Sequence, residues 1–211
     1  MTRMELPQHS PLADAASAHW PLPAAESLRD ELVAAYADPS RHYHDVRHLT
    51  EVLERLDALA AAGVAFDQTA VVLAAWFHDS VYDGERDAEE RSAAWAEDAL
   101  PGFVPERIVA EVARLVRMTE QHAPDDDDLD ACALSDADLG ILAADAVRYE
   151  EYAQAIREEY AHLTDAEFAA GRAQVLESLL AKEKLFHTSY ARAQWEQPAR
   201  ANMERELASW R

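Results

Sequence analysis

Lysine, cysteine and glycine are what this chain has least of. Lys182 and Lys184 are the only lysines in 211 residues, so positive charge comes almost wholly from arginine. Acids outnumber bases 41 to 19, and the formal net charge is -22. Such a chain repels a phosphate backbone, and no arginine cluster offsets it, so a nucleic-acid polymer is not an expected partner. An acidic surface does favour solubility and raises the local concentration of divalent cations. Cys132 stands alone, which excludes an intrachain disulfide and a cysteine-based zinc site. Five glycines are too few for a strand-rich fold with many tight turns. The longest unbroken apolar run, Ala70 to Phe77, falls far short of the ~20 residues a membrane helix needs. Residues 1–23 hold no sustained hydrophobic stretch of the signal-peptide kind, so the expected location is cytoplasmic, with no membrane partner.

What the chain does have is alanine, leucine and helical periodicity. Apolar residues make up 49%, enough for one sizeable core. Pro7, Pro11, Pro21 and Pro23 mark residues 1–24 as an irregular lead-in, and residues 25–211 read as one helical domain. Leu28, Leu32, Val33 and Tyr36 repeat at three-to-four spacing, and Pro39 closes that helix. A second helix is expected over about 44 to 61, with Gly63 as its C-terminal stop. A third, about 67 to 79, is apolar nearly all round, which marks a buried central helix. Further helices fit about 86 to 99, 105 to 121, 146 to 161, 165 to 181 and 189 to 209, with an acidic loop over 123–130. The expected class is all-α, a single compact helical bundle.

The candidate chemistry lies in His48, His78, Asp79 and Asp138. His78-Asp79 ends the apolar third helix, thirty residues after His48 and about sixty before Asp138. Two imidazoles and two carboxylates make a mixed N/O ligand set suited to a divalent ion that activates water. His44 and His48 are four apart, on one face if both are helical. Asp138 competes with a role as helix cap, and Asp136 is the better candidate for a capping or supporting role.

The segments Arg-His-Tyr-His-x-x-x-His (41–48), Trp-Phe-His-Asp-x-Val-Tyr-Asp (76–83), Glu-Glu-Arg-Ser-Ala (89–93) and Asp-Ala-Asp-Leu (136–139) resemble the HD superfamily of metal-dependent phosphohydrolases. Within it they look like a bacterial subgroup of predicted phosphohydrolases, over most of the chain from about residue 26. The resemblance implies an HD-type helical bundle with His48, His78, Asp79 and Asp138 as metal ligands. The ion would be Mn, Fe, Co, Ni, Zn or Mg. Tyr43-His44 followed by His48 is similar to a stretch of the cyclic-nucleotide phosphodiesterases, which implies His44 as proton donor. His78 to Asp83 resembles a segment of the guanosine-tetraphosphate hydrolases. Asp83 matches the last acid there, but Tyr82 replaces a Glu, so that substrate is not carried over.

Asp83 and Glu89 are thus candidate catalytic or water-orienting carboxylates. Their competing roles are a turn beside Gly84 and a helix start. His122, late on its helix, is a candidate for a second metal or a phosphate. Arg41, Arg47, Arg91, Arg157 and Arg172 are candidates for phosphate contact or for ion pairs. Trp76, Phe77 and Trp95 read as core. The remaining histidines, His9, His19, His42, His162 and His187, carry no spacing argument. The expected activity is hydrolysis of a phosphoester in a small nucleotide or phosphorylated metabolite. A regulatory module that binds metal and nucleotide without turnover, and an HD-type di-iron oxygenase, stand as alternatives.

Overall fold

A computed structural model describes residues 10–209, so Pro7 and His9 lie outside the described residues. Within that range the chain is all-α. Eleven α-helices and one 3-10 helix account for the regular structure, and an isolated bridge between Pro101 and Val104 is the only β-type pairing among the described residues.

The core is built around α3 (Val46–Ala61), α4 (Gln68–Phe77) and α7 (Leu129–Leu139). The apolar all-round character of α4 puts it at the centre: Ala70, Val71 and every residue from Leu73 to Phe77 are buried. It packs on α3, on α7 and on α6 (Glu106–Met118). α3 is amphipathic and buries His48 along with Leu49, Val52, Leu53, Leu56 and Leu59. Trp76 and Phe77 are core residues, and the Phe77 ring meets Trp95 of α5 (Ala88–Ala99) edge-on at 6.2 Å. The helices α2 (Glu26–Tyr36), α8 (Ala146–Glu159), α9 (Asp165–Ala181), α10 (Ser189–Gln194) and α11 (Glu196–Ser209) complete the bundle.

The structure departs from the sequence expectation in four places. Pro11 opens a helix, α1 (Pro11–Ala18), within the segment expected to be irregular; proline is accommodated at a first helical position, and α1 packs against α3. α3 begins at Val46 and not at residue 44. The Asp45 carboxylate accepts from the amides of Arg47 and His48 and so fixes the helix start behind His44. Residues 129–139 form α7, whose mixed Asp, Ser and Ala composition carries almost no amphipathic signal because it is buried on nearly every side. Asp138 therefore sits at the C-terminal end of a helix and is not an N-cap. The last expected helix is broken at Trp195 into α10 and α11. Gly63, two residues past the end of α3, has φ 84°, the left-handed conformation that favours glycine.

The buried carboxylate of Asp136 ties α7 to the segment before α10. It accepts from the His187 amide at 2.8 Å and the Thr188 amide at 2.7 Å. Asp136→Ala leaves these donors without their partner and is expected to destabilise the fold by roughly 1–3 kcal/mol for each donor left buried. Urea denaturation of the variant beside wild type measures this; an unchanged midpoint contradicts the anchoring role.

Candidate metal centre

Three helix ends meet where α4 stops. His78 caps α4 and Asp79 follows it, His48 lies in the first turn of α3, and Asp138 lies at the end of α7. The His48 and His78 Nε2 atoms are 3.0 Å apart. Asp79 Oδ2 is 3.0 Å from His78 Nε2 and 3.2 Å from His48 Nε2. Asp138 Oδ1 is 3.4 Å from His48 Nε2 and 3.7 Å from His78 Nε2. His48, His78 and Asp138 present ligand atoms that all lie within 4.8 Å of one another, and this group can hold a metal ion.

The donor chemistry fits a cation. The His78 Nδ1–H donates to the Ala75 carbonyl at 2.8 Å, so in the neutral ring the Nε2 lone pair faces the cluster. Both imidazoles are almost fully buried, whereas the Asp79 and Asp138 side chains keep 15% and 14% exposure toward the cleft. Burial would raise both carboxyl pKa values, but the surrounding imidazoles, His78 foremost, hold them well below the usual range. Burial lowers the pKa of His48. For His78 burial is outweighed by Asp79, Tyr36 and Asp138, and its pKa is raised. The cluster thus stabilises positive charge, whether as a proton on His78 or as a metal ion.

A supporting layer fixes the backbone around these residues. The buried Arg41 guanidinium donates to the carbonyls of His44 at 3.0 Å, Asp79 at 2.6 Å and Ser80 at 2.9 Å. The Asp79 amide donates to the Tyr36 hydroxyl at 3.2 Å. Through Nη1 and Nη2, Arg41 therefore serves as a backbone clamp between the segment entering α3 and the turn after α4.

A cleft of about 520 Å³ opens beside the cluster, a size typical of small-molecule sites. His44, Asp79, Glu89, His122 and Asp138 all line it. His44 precedes α3, yet its ring lies 5.6 Å from that of His48. Its Nδ1 pairs with Glu159 Oε2 at 2.7 Å, and its ring stacks on Tyr82 at 4.1 Å. Glu159 Oε1 also accepts from the amides of His42, Tyr43 and His44, and the Tyr82 hydroxyl donates to Oε2. Burial would raise the Glu159 pKa, but the His44 ring and these amides bring it down to about 2. Burial would lower the His44 pKa, but Glu159, Asp79 and Asp138 outweigh it and raise it. Glu159 was not legible in the sequence. It lies 115 residues from His44 within an ordinary acidic helix end, with no spacing to mark it.

His122 reaches the cluster from the turn after α6, which stops at Met118: its Nε2 is 3.3 Å from Asp138 Oδ2, and burial, with Lys182 contributing, lowers its pKa. Asp83 is not brought to the cleft. Its exposed carboxylate pairs with Arg91 at 2.7 Å through both oxygens, because the turn at Gly84 carries it outward to face α5. Glu89 lines the cleft from the first turn of α5. The other arginine candidates are taken up by carboxylates. Arg47 meets Glu51 and Glu151, Arg157 meets Asp165, and the buried Arg172 meets Glu206. His19, His42 and His187 face Asp57, Glu158 and Asp126 respectively, and His162 lies beside Tyr160.

No family model, curated protein or solved structure matches the chain. No helix among the described residues is long and apolar enough to cross a membrane.

Two outcomes follow for the protein as purified. Elemental analysis should find a divalent transition metal in wild type that drops to background in His78→Ala and Asp138→Ala; equal content in all three removes the metal assignment. In chelator-treated protein, His44 should titrate above its ordinary 6.5 by NMR, and Glu159→Gln should lower that value. Glu159 has a depressed pKa, so the pair's stabilisation is present above the ordinary 4.5 and is lost as pH falls toward about 2. His44 has a raised pKa, so its contribution is full below 6.5 and is lost as pH rises through the folded value.

Proposed function

We propose that this protein is a metal-dependent phosphohydrolase with an HD-type helical architecture, acting on a phosphoester of a small nucleotide or another phosphorylated metabolite. The observation that carries this reading is one juxtaposition. The carboxylates of Asp79 and Asp138, each close to the buried imidazoles of His48 and His78, form part of the cleft wall, and His44, paired with Glu159, opens onto the same cleft.

His48, His78, Asp79 and Asp138 would hold the ion. A divalent cation bound there supplies positive charge that polarises a phosphoryl oxygen and acidifies water. His44 contributes the proton. Its Nδ1 is engaged by Glu159, which favours the protonated ring, and its Nε2 remains to hand a proton to the departing ester oxygen. The Tyr82 ring, stacked on the imidazole, and the Glu159 carboxylate together hold His44 in one orientation. Arg41 holds the carbonyls of His44 and Asp79 together, so the proton donor and one ligand are positioned by a single side chain. Asp83 has no part in this scheme, and Glu89 remains a cleft-lining carboxylate.

The test is a screen of phosphomonoesters and phosphodiesters with each divalent ion in turn. Wild type should turn over at least one class, and Asp79→Ala should lose that turnover together with its metal. His44→Ala should keep its metal and lose about 10²–10⁴-fold in kcat, the usual range for one general acid. Metal-dependent turnover that persists in Asp79→Ala sinks the proposal. Calorimetric binding of metal and nucleotide with no product from any substrate favours a non-catalytic module instead.

A further inference from the structure

Among the described residues, the cleft that holds the candidate metal centre contains one lysine or arginine with no carboxylate partner. Two basic residues line it, Arg172 and Lys182. Arg172 is neutralised by Glu206 at 2.7 Å and also donates to the Tyr152 hydroxyl. Half-buried Lys182 makes no ion pair among the described residues. Its Nζ donates to the His122 carbonyl at 2.8 Å and to the Gln121 carbonyl at 3.4 Å. An ammonium carries three N–H donors, so one is left for a ligand. Many other bases in this acidic chain are matched to acids: Arg114 to Glu111 and Asp128, Arg117 to Glu90 and Glu97, Lys184 to Asp126.

Lys182 is also tied to the metal centre. The residue whose carbonyl it holds, His122, has φ 46°, a left-handed conformation that side-chain-bearing residues seldom adopt and that needs support from its surroundings. The His122 ring lies against Asp138, with its Nδ1 beside the Ser135 hydroxyl. The ammonium therefore stands one residue away from a candidate ligand. Its charge opposes a second cation at His122 and attracts an anion there.

We propose that Lys182, with His122 beside it, is the phosphate-recognising pole of the cleft, and that the substrate is a phosphomonoester whose terminal phosphate lies between Lys182 and the His48–His78–Asp79–Asp138 cluster. This rests on the phosphohydrolase reading. A terminal phosphate is a dianion with three free oxygens, which matches two separate positive poles. A polyphosphate would bring further negative charge against Glu89 and Glu120, which also line the cleft. Beyond the two poles the walls are Ile141, Leu142, Ile156 and Leu179 with Gln174 and Ser178, which suits an uncharged organic remainder.

The experiment titrates inorganic phosphate into wild type, Lys182→Ala and Lys182→Arg by calorimetry, with the metal content of each measured in parallel. Metal content should be equal, near one equivalent. Wild type should bind phosphate, Lys182→Ala about 10- to 100-fold more weakly, and Lys182→Arg in between. Equal phosphate affinity in wild type and Lys182→Ala overturns the proposal, as does metal-loaded wild type that binds no phosphate. Two equivalents of metal in wild type, one of them lost in His122→Ala, overturns it as well. Wild type without metal instead overturns the phosphohydrolase reading; the same phosphate comparison in metal-free protein then still decides whether Lys182 recognises the anion.

Discussion

Two carboxylates and two imidazoles share one nearly closed space at the junction of three helices, and much of the surrounding structure is arranged to permit this. Burying ionised carboxylates without a compensating positive charge costs several kcal/mol each in an effective protein medium. The compensation lies in the same cluster. Asp79 Oδ2 touches both imidazoles, and Asp138 presents one oxygen to that pair and the other to His122. Negative and positive charge are therefore interdependent here. Removing either aspartate takes away part of the imidazoles' counter-charge, and removing an imidazole takes away part of the carboxylates'.

The layer behind the cluster turns this electrostatic requirement into geometry. Each element is stopped where its functional residue is needed. Asp45 caps α3 so that His48 falls in its first turn, and the Ala75 carbonyl fixes the His78 ring through Nδ1. Arg41 joins the chain before α3 to the turn after α4. Glu159 has two functions at once: one oxygen gathers the amides of residues 42–44, and the other engages the ring of His44. Two residues before Asp138 on α7, Asp136 holds the His187–Thr188 backbone. Gly140, two residues after Asp138, leaves room for the Arg55 side chain; a Cβ there would collide with Arg55 Cδ.

The large acid excess has a similar local explanation. Asp45, Asp67, Asp128 and Asp145 each cap a helix through the side chain, and Thr164 and Glu167 form a reciprocal cap at α9. Many of the others face arginines on the surface, where each pair adds little to stability because it is solvated and screened. Against this background a base in the cleft without an acid stands out, which makes Lys182 informative in a chain with so few lysines.

Periodicity alone pointed to a helical chain, to a central helix over about residues 67–79, observed as Gln68–Phe77, and to His78 and Asp79 at its end. The ordered histidines and aspartates pointed to the same four residues that the fold gathers. A buried helix with an apolar surface all round announces itself, and so does a His-Asp pair that interrupts it. The tertiary structure alone decided the rest. α7 was invisible because its polar residues are consumed by internal contacts and carry no amphipathic rhythm. Asp83 matched a motif, yet its turn faces Arg91 and not the cleft. Glu159 and Lys182 acquire their roles from partners more than fifty residues away, at His44 and His122. Local sequence sets which segments coil and which face they bury. Which distant charge meets which ring depends on how the helix ends converge, and that depends on the packing of the whole bundle.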